Sequence, residues 1–279
     1  MDDGLTLDFG GLAVQVESSD KAWRQLAAER WRGFSMGTER GWTRKRPSLR
    51  VVYRVVDRRT PSPRALEAAR RAPLRTDPAA PTEIVGVGFR GRFEPRPGVD
   101  LEVEGIRALA PLDRLLQLLW TRHRRGLILH GAALVEPGGA RDHGDRRGWL
   151  CTGPSGVGKS TLAGLFPHHA LCDELTAVRV EQGDVPRIDS LPFWRGRPGS
   201  APLAGIHLLR HGASHRRHRL SPRQALAALR TEVSWPVPDR DAVERALDAL
   251  TRLVRAVPVW RLEFRPDRDV WHELTREAA

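Results

Sequence analysis

Lysine is almost missing from this chain: it stands only at Lys21, Lys45 and Lys159, so nearly all of the formal net charge of +12 rests on arginine. Arginine in lysine's place along the whole length reads as a compositional bias rather than a surface shaped for one partner. No apolar run approaches the roughly 18–20 residues of a membrane-spanning helix, so no membrane partner is expected. The opening Met1-Asp2-Asp3 lacks the basic-then-apolar pattern of a secretory signal, and a cytoplasmic protein is expected. Cysteine occurs only at Cys151 and Cys172, both inside apolar segments, which predicts two buried, reduced thiols rather than a disulfide framework. No Cys/His grouping has the spacing of a zinc site, and there is no internal repeat.

What is present suits a folded protein. With 279 residues, 40% hydrophobic and 29% charged, the chain can form one large domain or two small ones around a real core. The densest basic cluster, His215-Arg216-Arg217-His218-Arg219, reads first as a solvated loop and second as a contact for an acidic or phosphate-bearing partner. Nucleic acid is the least favoured reading, because no aromatic residues interleave the charges for base stacking.

Residues 5–18 alternate apolar and polar about Gly10-Gly11 and predict a β-hairpin. Ala22–Trp31 and Arg64–Arg71 are helical in pattern, whereas Leu49–Val56, Ile84–Phe93 and Leu101–Val103 are strand-like. Residues 72–82, rich in Pro, Ala and charge, read as a loop. Residues 1–110 are thus expected to form a smaller α+β N-terminal region, with substrate recognition as its natural role. From 111 to 279 the pattern changes to α/β. Leu112–Arg122 has one broad apolar face, and Gly126–Leu134 and Gly148–Thr152 read as strands around a polar, Gly-rich turn at 136–147. A helix over Ser160–Phe166 is stopped by Pro167, leaving His168 and His169 as a solvated helix end. The short strand Ala170–Cys172 follows, then a hairpin of Leu175–Val180 and Val185–Ile188 about Gln182-Gly183-Asp184. Pro202–Leu209 is strand-like, and Ser221 caps a helix over Pro222–Arg230. An amphipathic helix over 239–255 capped by Asp239, a strand over Val257–Phe264 and a helix over Val270–Leu274 complete the chain.

Gly153-Pro154-Ser155-Gly156-Val157-Gly158-Lys159-Ser160, followed by Thr161, fits G-x-x-x-x-G-K-[ST] completely. With this composition a chance match is expected about 0.002 times, so an ordinary glycine-rich turn is set aside. The glycines let backbone N–H groups wrap a phosphate chain, and the following helix turns its positive end to the same anion. Lys159 would reach the β and γ phosphates of a nucleotide, most simply ATP, and the Ser160 hydroxyl would ligate Mg²⁺. Asp173 and Glu174 end a strand about a dozen residues later. A carboxylate there can hold Mg²⁺, for which Glu174 is the candidate, or accept the proton of an attacking hydroxyl, for which Asp173 is. His130 lies on the strand before the P-loop strand. It is a core histidine or, if the two strands are neighbours, a group that orients a carboxylate or tunes its pKa. Residues 189–196 read equally as a packing loop or as the wall of an acceptor pocket.

The order His130-Gly131, glycine-rich turn, strand, GPSGVGKST and Leu171-Cys172-Asp173-Glu174 resembles the catalytic core of the HPr kinase/phosphorylase family, closest to its divergent branch of HPr-kinase-related kinases. The likeness covers residues 110–200 with definite motifs and extends more loosely to 275. It implies a P-loop kinase core of the HPr kinase / phosphoenolpyruvate carboxykinase type and ATP-dependent phosphorylation of a serine on a small protein or peptide. By this likeness Asp173 is the catalytic base, supported by Glu174 and His130; the family forms hexamers, which leaves a homo-oligomer open here, although no feature of the sequence requires one. Three features differ. Thr161 stands where the family has glutamate, the acidic pair is Asp-Glu rather than Asp-Asp, and no Glu-Val-Arg-Gly stretch follows it. Leu101-Glu102-Val103-Glu104-Gly105 has a faint likeness to that stretch but precedes the P-loop. The differences favour kinase over phosphorylase activity and an acceptor other than HPr. An arginine from 194–219 is expected to stabilise charge on the transferred group. A small-molecule kinase on the same scaffold, a nucleotide-dependent switch without phosphotransfer and, last, a nucleic-acid-dependent ATPase remain the other readings.

Overall fold

The computed structural model describes residues 4–36, 49–77, 80–123, 126–137, 146–181, 183–193, 196–235 and 240–276. The described chain is mixed α/β and divides into a first compact unit ending at His123 and a second that takes up the remainder. No helix is long and apolar enough to cross a membrane among the described residues.

The first unit contains β1 (Gly4–Phe9), β2 (Leu12–Glu17), α1 (Lys21–Arg30), β3 (Leu49–Asp57), α2 (Pro63–Arg71), β4 (Arg75–Asp77), β5 (Ala80–Gly86), β6 (Phe89–Arg96), β7 (Val99–Ile106) and α3 (Ala110–His123). Its seven strands form one sheet in the order β1-β2-β3-β7-β6-β5-β4, with β3 parallel to both its neighbours. Asp20 caps α1 by accepting from the Trp23 N–H at 2.8 Å. Trp23 in turn stacks on Tyr53 at 4.5 Å and donates its indole N–H to the Ala108 carbonyl. The apolar stripe of α3 (Leu112, Leu115, Leu116, Leu119, Trp120) is wholly buried in this unit. Gly91 on β6 permits the close approach, since a Cβ there would lie 2.6 Å from Leu115 Cδ1. For that reason α3 belongs to the first unit, and the division falls after His123 rather than between residues 110 and 111. Two other expectations change. The apolar stretch 84–93 is not one strand but the β5–β6 hairpin, turned at Gly88 with φ of +77°. Residues 72–82, expected as a loop, contribute β4 and the start of β5.

The second unit contains β8 (Gly126–Val135), β9 (Gly148–Thr152), α4 (Lys159–Leu165), β10 (Ala170–Cys172), β11 (Leu175–Arg179), β12 (Arg187–Ser190), β13 (Ser200–His211), β14 (Arg216–Arg219), α5 (Pro222–Leu229), α6 (Arg240–Ala256), β15 (Val259–Phe264) and α7 (Val270–Thr275). The eight strands make one mixed sheet in which β9 pairs antiparallel with β8 and parallel with β13, and β13 runs parallel to β15. Consecutive strand residues point to opposite faces, and the core obeys this. On β9, Leu150 joins the cluster that includes Leu229 of α5 and Leu253 of α6. Cys151 joins the other cluster, with Leu162 of α4 and Leu274 of α7. The sheet is therefore covered on both faces, which explains the unbroken apolar runs of β8 and β9. Ser221 caps α5 in a capping box with Gln224, as its position suggested. The expected cap Asp239 and turn residue Gln182 lie outside the described residues, as does most of the glycine-rich turn 136–147. The cluster His215–Arg219 is not a solvated loop. It holds the edge strand β14, paired antiparallel with β15, and its uniformly polar composition hid a strand that needs no apolar face.

Candidate functional site

β9 ends at Thr152 and the chain enters the loop 153–158 that leads to α4. Gly153, Gly156 and Gly158 take φ values of +142°, +83° and +100°, in the region that favours glycine. At Gly158 a Cβ would also meet Phe264 Cζ at 2.9 Å, so conformation and space both require glycine. Val157, by contrast, tucks its side chain into the core beneath the loop, and only its backbone faces the loop. The Lys159 ammonium folds back onto the loop, donating to the Gly153 and Pro154 carbonyls, the latter at 3.0 Å. Burial lowers its pKa from the ordinary lysine value, and the Glu232 carboxylate opposes that shift. His211, at the end of β13, places Nε2 3.3 Å from the Gly156 carbonyl.

β8 organises the rest. One edge pairs with β10 and β11, and the chain bulges between them at Asp173-Glu174, where the Glu174 carbonyl accepts from the Gly131 N–H at 2.9 Å. The opposite edge pairs with β9 up to Gly131↔Thr152, and the Thr152 hydroxyl donates to the His130 carbonyl. Where β9 leaves the ladder, residues 232–234 take its place. The His130 N–H donates to the Glu232 carbonyl and the Ser234 N–H to the Ile128 carbonyl, both at 2.8 Å, with a bridge between Leu129 and Val233. His130, on β8 itself, and the acidic pair, at the β10–β11 edge of β8, are thus both set beside the strand that leads into the P-loop.

A cavity of about 880 Å³ results. It is lined by the loop glycines, Pro154, Ser155, Lys159, Ser160 and Thr161 on one side, and by His130, Asp173, Glu174, Thr231 and Glu232 on the other. His130 reaches this cavity as the exposed residue of a strand otherwise buried throughout. The surrounding protein still desolvates its ring and lowers its pKa. Glu174 and Glu232 pull the other way, and Lys159 adds to the lowering. Asp173 Oδ1 is buried without a hydrogen-bond partner, an uncommon state for a carboxylate oxygen. Beneath the turn, Thr176 donates to the Gly131 carbonyl and lies 3.0 Å from Cys172 Sγ. Burial pushes the Cys172 thiol up to about 11 and raises Cys151 as well, so neither is a nucleophile near neutral pH.

Every residue singled out for catalysis or metal binding (His130, Lys159, Ser160, Asp173, Glu174) lies on this one cavity. Several other candidates do not. Asp189 is buried and accepts two hydrogen bonds from Arg179, while Leu191 and Phe193 fill the core. The stretch 189–193 therefore packs, and Trp194 and Arg195 lie outside the described residues. No arginine lines the cavity among the described residues, so the arginine expected from 194–219 is not found there. His169 is not a solvated helix end: its Nδ1 lies 3.0 Å from the Val135 carbonyl and its ring packs on Trp271 at 4.5 Å. Thr231 and Glu232 were not anticipated. They sit in a linker between two helices, and only the pairing to β8, about a hundred residues away in sequence, brings them to the site. No protein-family model matches the chain, and no curated protein matches it significantly.

Proposed function

We propose that the chain is an ATP-dependent kinase, on a core of the HPr kinase / phosphoenolpyruvate carboxykinase type, that phosphorylates a serine of a small protein or peptide. The observation that carries the reading is the buried, unpartnered Oδ1 of Asp173 on the same cavity as Lys159 and Ser160. The P-loop amides and the start of α4 bind the phosphate chain, and Lys159, swinging off the loop carbonyls, neutralises the β and γ groups. Asp173 accepts the proton of the serine hydroxyl. The serine oxygen then forms its bond to the γ-phosphorus as the bond to the β-phosphate oxygen breaks, and ADP leaves with that electron pair. His130, short of protons because its pKa is lowered, accepts a hydrogen bond rather than competing as a cation for the phosphates.

Ser160 and Glu174 would hold Mg²⁺. The donors fit a hard cation that takes one or two protein oxygens and leaves its other positions to phosphate and water. When bound, the ion supplies charge neutralisation on the γ-phosphate.

Incubation with γ-labelled Mg-ATP and candidate small proteins or peptides tests the reading. Label on a serine, lost in Asp173→Asn while ATP binding persists, is the expected result. Bound ATP without transfer to any protein or peptide, and with transfer to a metabolite instead, would move the acceptor class to small molecules. No ATP binding at all would end the kinase reading.

A further inference from the structure

At the other ends of the P-loop strands lies a second pocket, of about 270 Å³, lined by Arg147, Trp149, Gly205, His207, Arg217, Trp260 and Arg276, among others. Trp149 is near the start of β9, Gly205 is on the entering half of β13, and Trp260 is at the start of β15. In the parallel strands β9, β13 and β15 this is the end opposite the one from which the P-loop departs.

Among the described residues the lining contains three arginines and no carboxylate. Two of the guanidinium groups are held in place. Arg217 stacks 4.2 Å above the Trp260 ring and donates to the Arg276 carbonyl, and Arg147 is anchored to Glu136 at 2.7 Å. Stacking and anchoring of this kind leave a planar fork little freedom to lose on meeting an anion. Arg276 is paired with Glu273 at 3.2 Å but reaches solvent. Below them His207 is fully buried, and neither ring nitrogen has a hydrogen-bond partner. Burial and then the nearby Arg217 charge drive its pKa down to about 3, against the Leu274 carbonyl, which favours its protonation. A neutral imidazole offers one N–H donor and one acceptor, and buried groups of this kind normally have a partner.

We infer that this pocket is a second binding site, distinct from the P-loop cavity, for the oxyanion of a small phosphorylated or carboxylated molecule, gripped by Arg147, Arg217 and Arg276 above the His207 ring. The volume lies just under the usual range for small-molecule sites and suits a compact ligand. The cluster Arg216–Arg219, which the P-loop chemistry leaves unused, thereby gains a role through Arg217.

Equilibrium dialysis against radiolabelled inorganic phosphate, and separately against labelled citrate, counts the sites. Arg147→Gln and Arg276→Gln are combined in one variant because both side chains reach solvent, and its melting temperature is checked against wild type. Two phosphates on the wild type, one lost in this double variant and the other in Lys159→Ala, is the expected result, with roughly tenfold weaker binding for each arginine removed singly. One phosphate lost only in Lys159→Ala, together with citrate binding that the double variant abolishes, assigns the pocket to carboxylates. Phosphate lost only in the double variant upholds this site while counting against the P-loop reading. Binding of neither anion outside the P-loop, or binding that the double variant leaves unchanged, overturns the inference.

Discussion

Carboxylates are handled differently in the two units. In the first, Glu102 faces Arg54 at 2.7 Å, with Arg92 and Arg96 within 4 Å, and Glu83 faces Arg92 at 2.7 Å and Arg90 at 3.5 Å. Asp20 meets Arg107 at 3.0 Å, and that hydrogen bond holds its carboxyl below the usual range. In the second unit Asp189 is treated the same way by Arg179, yet Asp173 has a buried oxygen with no partner and no arginine lines its cavity among the described residues. A carboxylate whose oxygens face guanidinium groups has little room left for a hydroxyl to bond. One left unsaturated beside a phosphate-binding loop can receive one, and its lack of a partner costs stability that function offsets.

The largest expected effect breaks this contrast at Asp173. Asp173→Asn keeps the shape and removes the proton acceptor, so phosphotransfer should fall by roughly 10²–10⁴-fold. ATP affinity measured by calorimetry should hold, and the melting temperature should stay level or rise. A fall in melting temperature alongside unchanged transfer would place Asp173 with the structural carboxylates.

Asp113, in the first turn of α3, departs from the first unit's pattern. Its Oδ1 is buried without a partner and burial raises its pKa to about 7, although Arg30 and Arg70 pull it down. An acid whose folded pKa exceeds its unfolded value holds its proton more tightly when folded. Its contribution is full below about pH 4 and is lost as pH rises to about 7. Asp113→Asn should therefore flatten the pH dependence of unfolding and gain on the order of 1–3 kcal/mol at pH 8, read from urea midpoints at pH 5 and pH 8. A smaller effect is expected from Glu102→Gln. Its arginine partners are about half exposed and can return to water, so the cost should be about 1–2 kcal/mol, with ATP binding unchanged.

Legibility in the sequence followed contact distance along the chain. The P-loop could be read because its chemistry is contiguous, and its three glycines take the backbone angles that only such a turn requires. The acidic pair could be read because it ends a strand close by. Strand β14 has no such signature because an edge strand made only of Arg and His offers no apolar period, and the β5–β6 turn has none because an apolar stretch continues across it. Helix α3 is a subtler case: its periodicity was evident, but a stripe of leucines does not say which sheet it covers. Glu232 was beyond reach, since nothing local in Thr231-Glu232-Val233-Ser234 indicates that these residues complete an edge of β8.

That last residue gives the smallest and most discriminating expectation. The Glu232 carboxylate raises the pKa of both His130 and Lys159 against the burial that lowers them. Removing its charge in Glu232→Gln should move both titrations further down, with the ladder bond from the His130 N–H left intact because it uses the Glu232 carbonyl. Glu174 acts on His130 in the same sense and more strongly, so Glu174→Gln should lower the His130 midpoint by the larger amount. NMR titration of the histidine ring protons, with His130 assigned by its disappearance in His130→Asn, measures both shifts. A His130 midpoint that moves in Glu174→Gln but stays fixed in Glu232→Gln would mean that the carboxylate of residue 232 does not face the cavity. In that case the linker between α5 and α6 would close the edge of β8 without sharing in the electrostatics of the site.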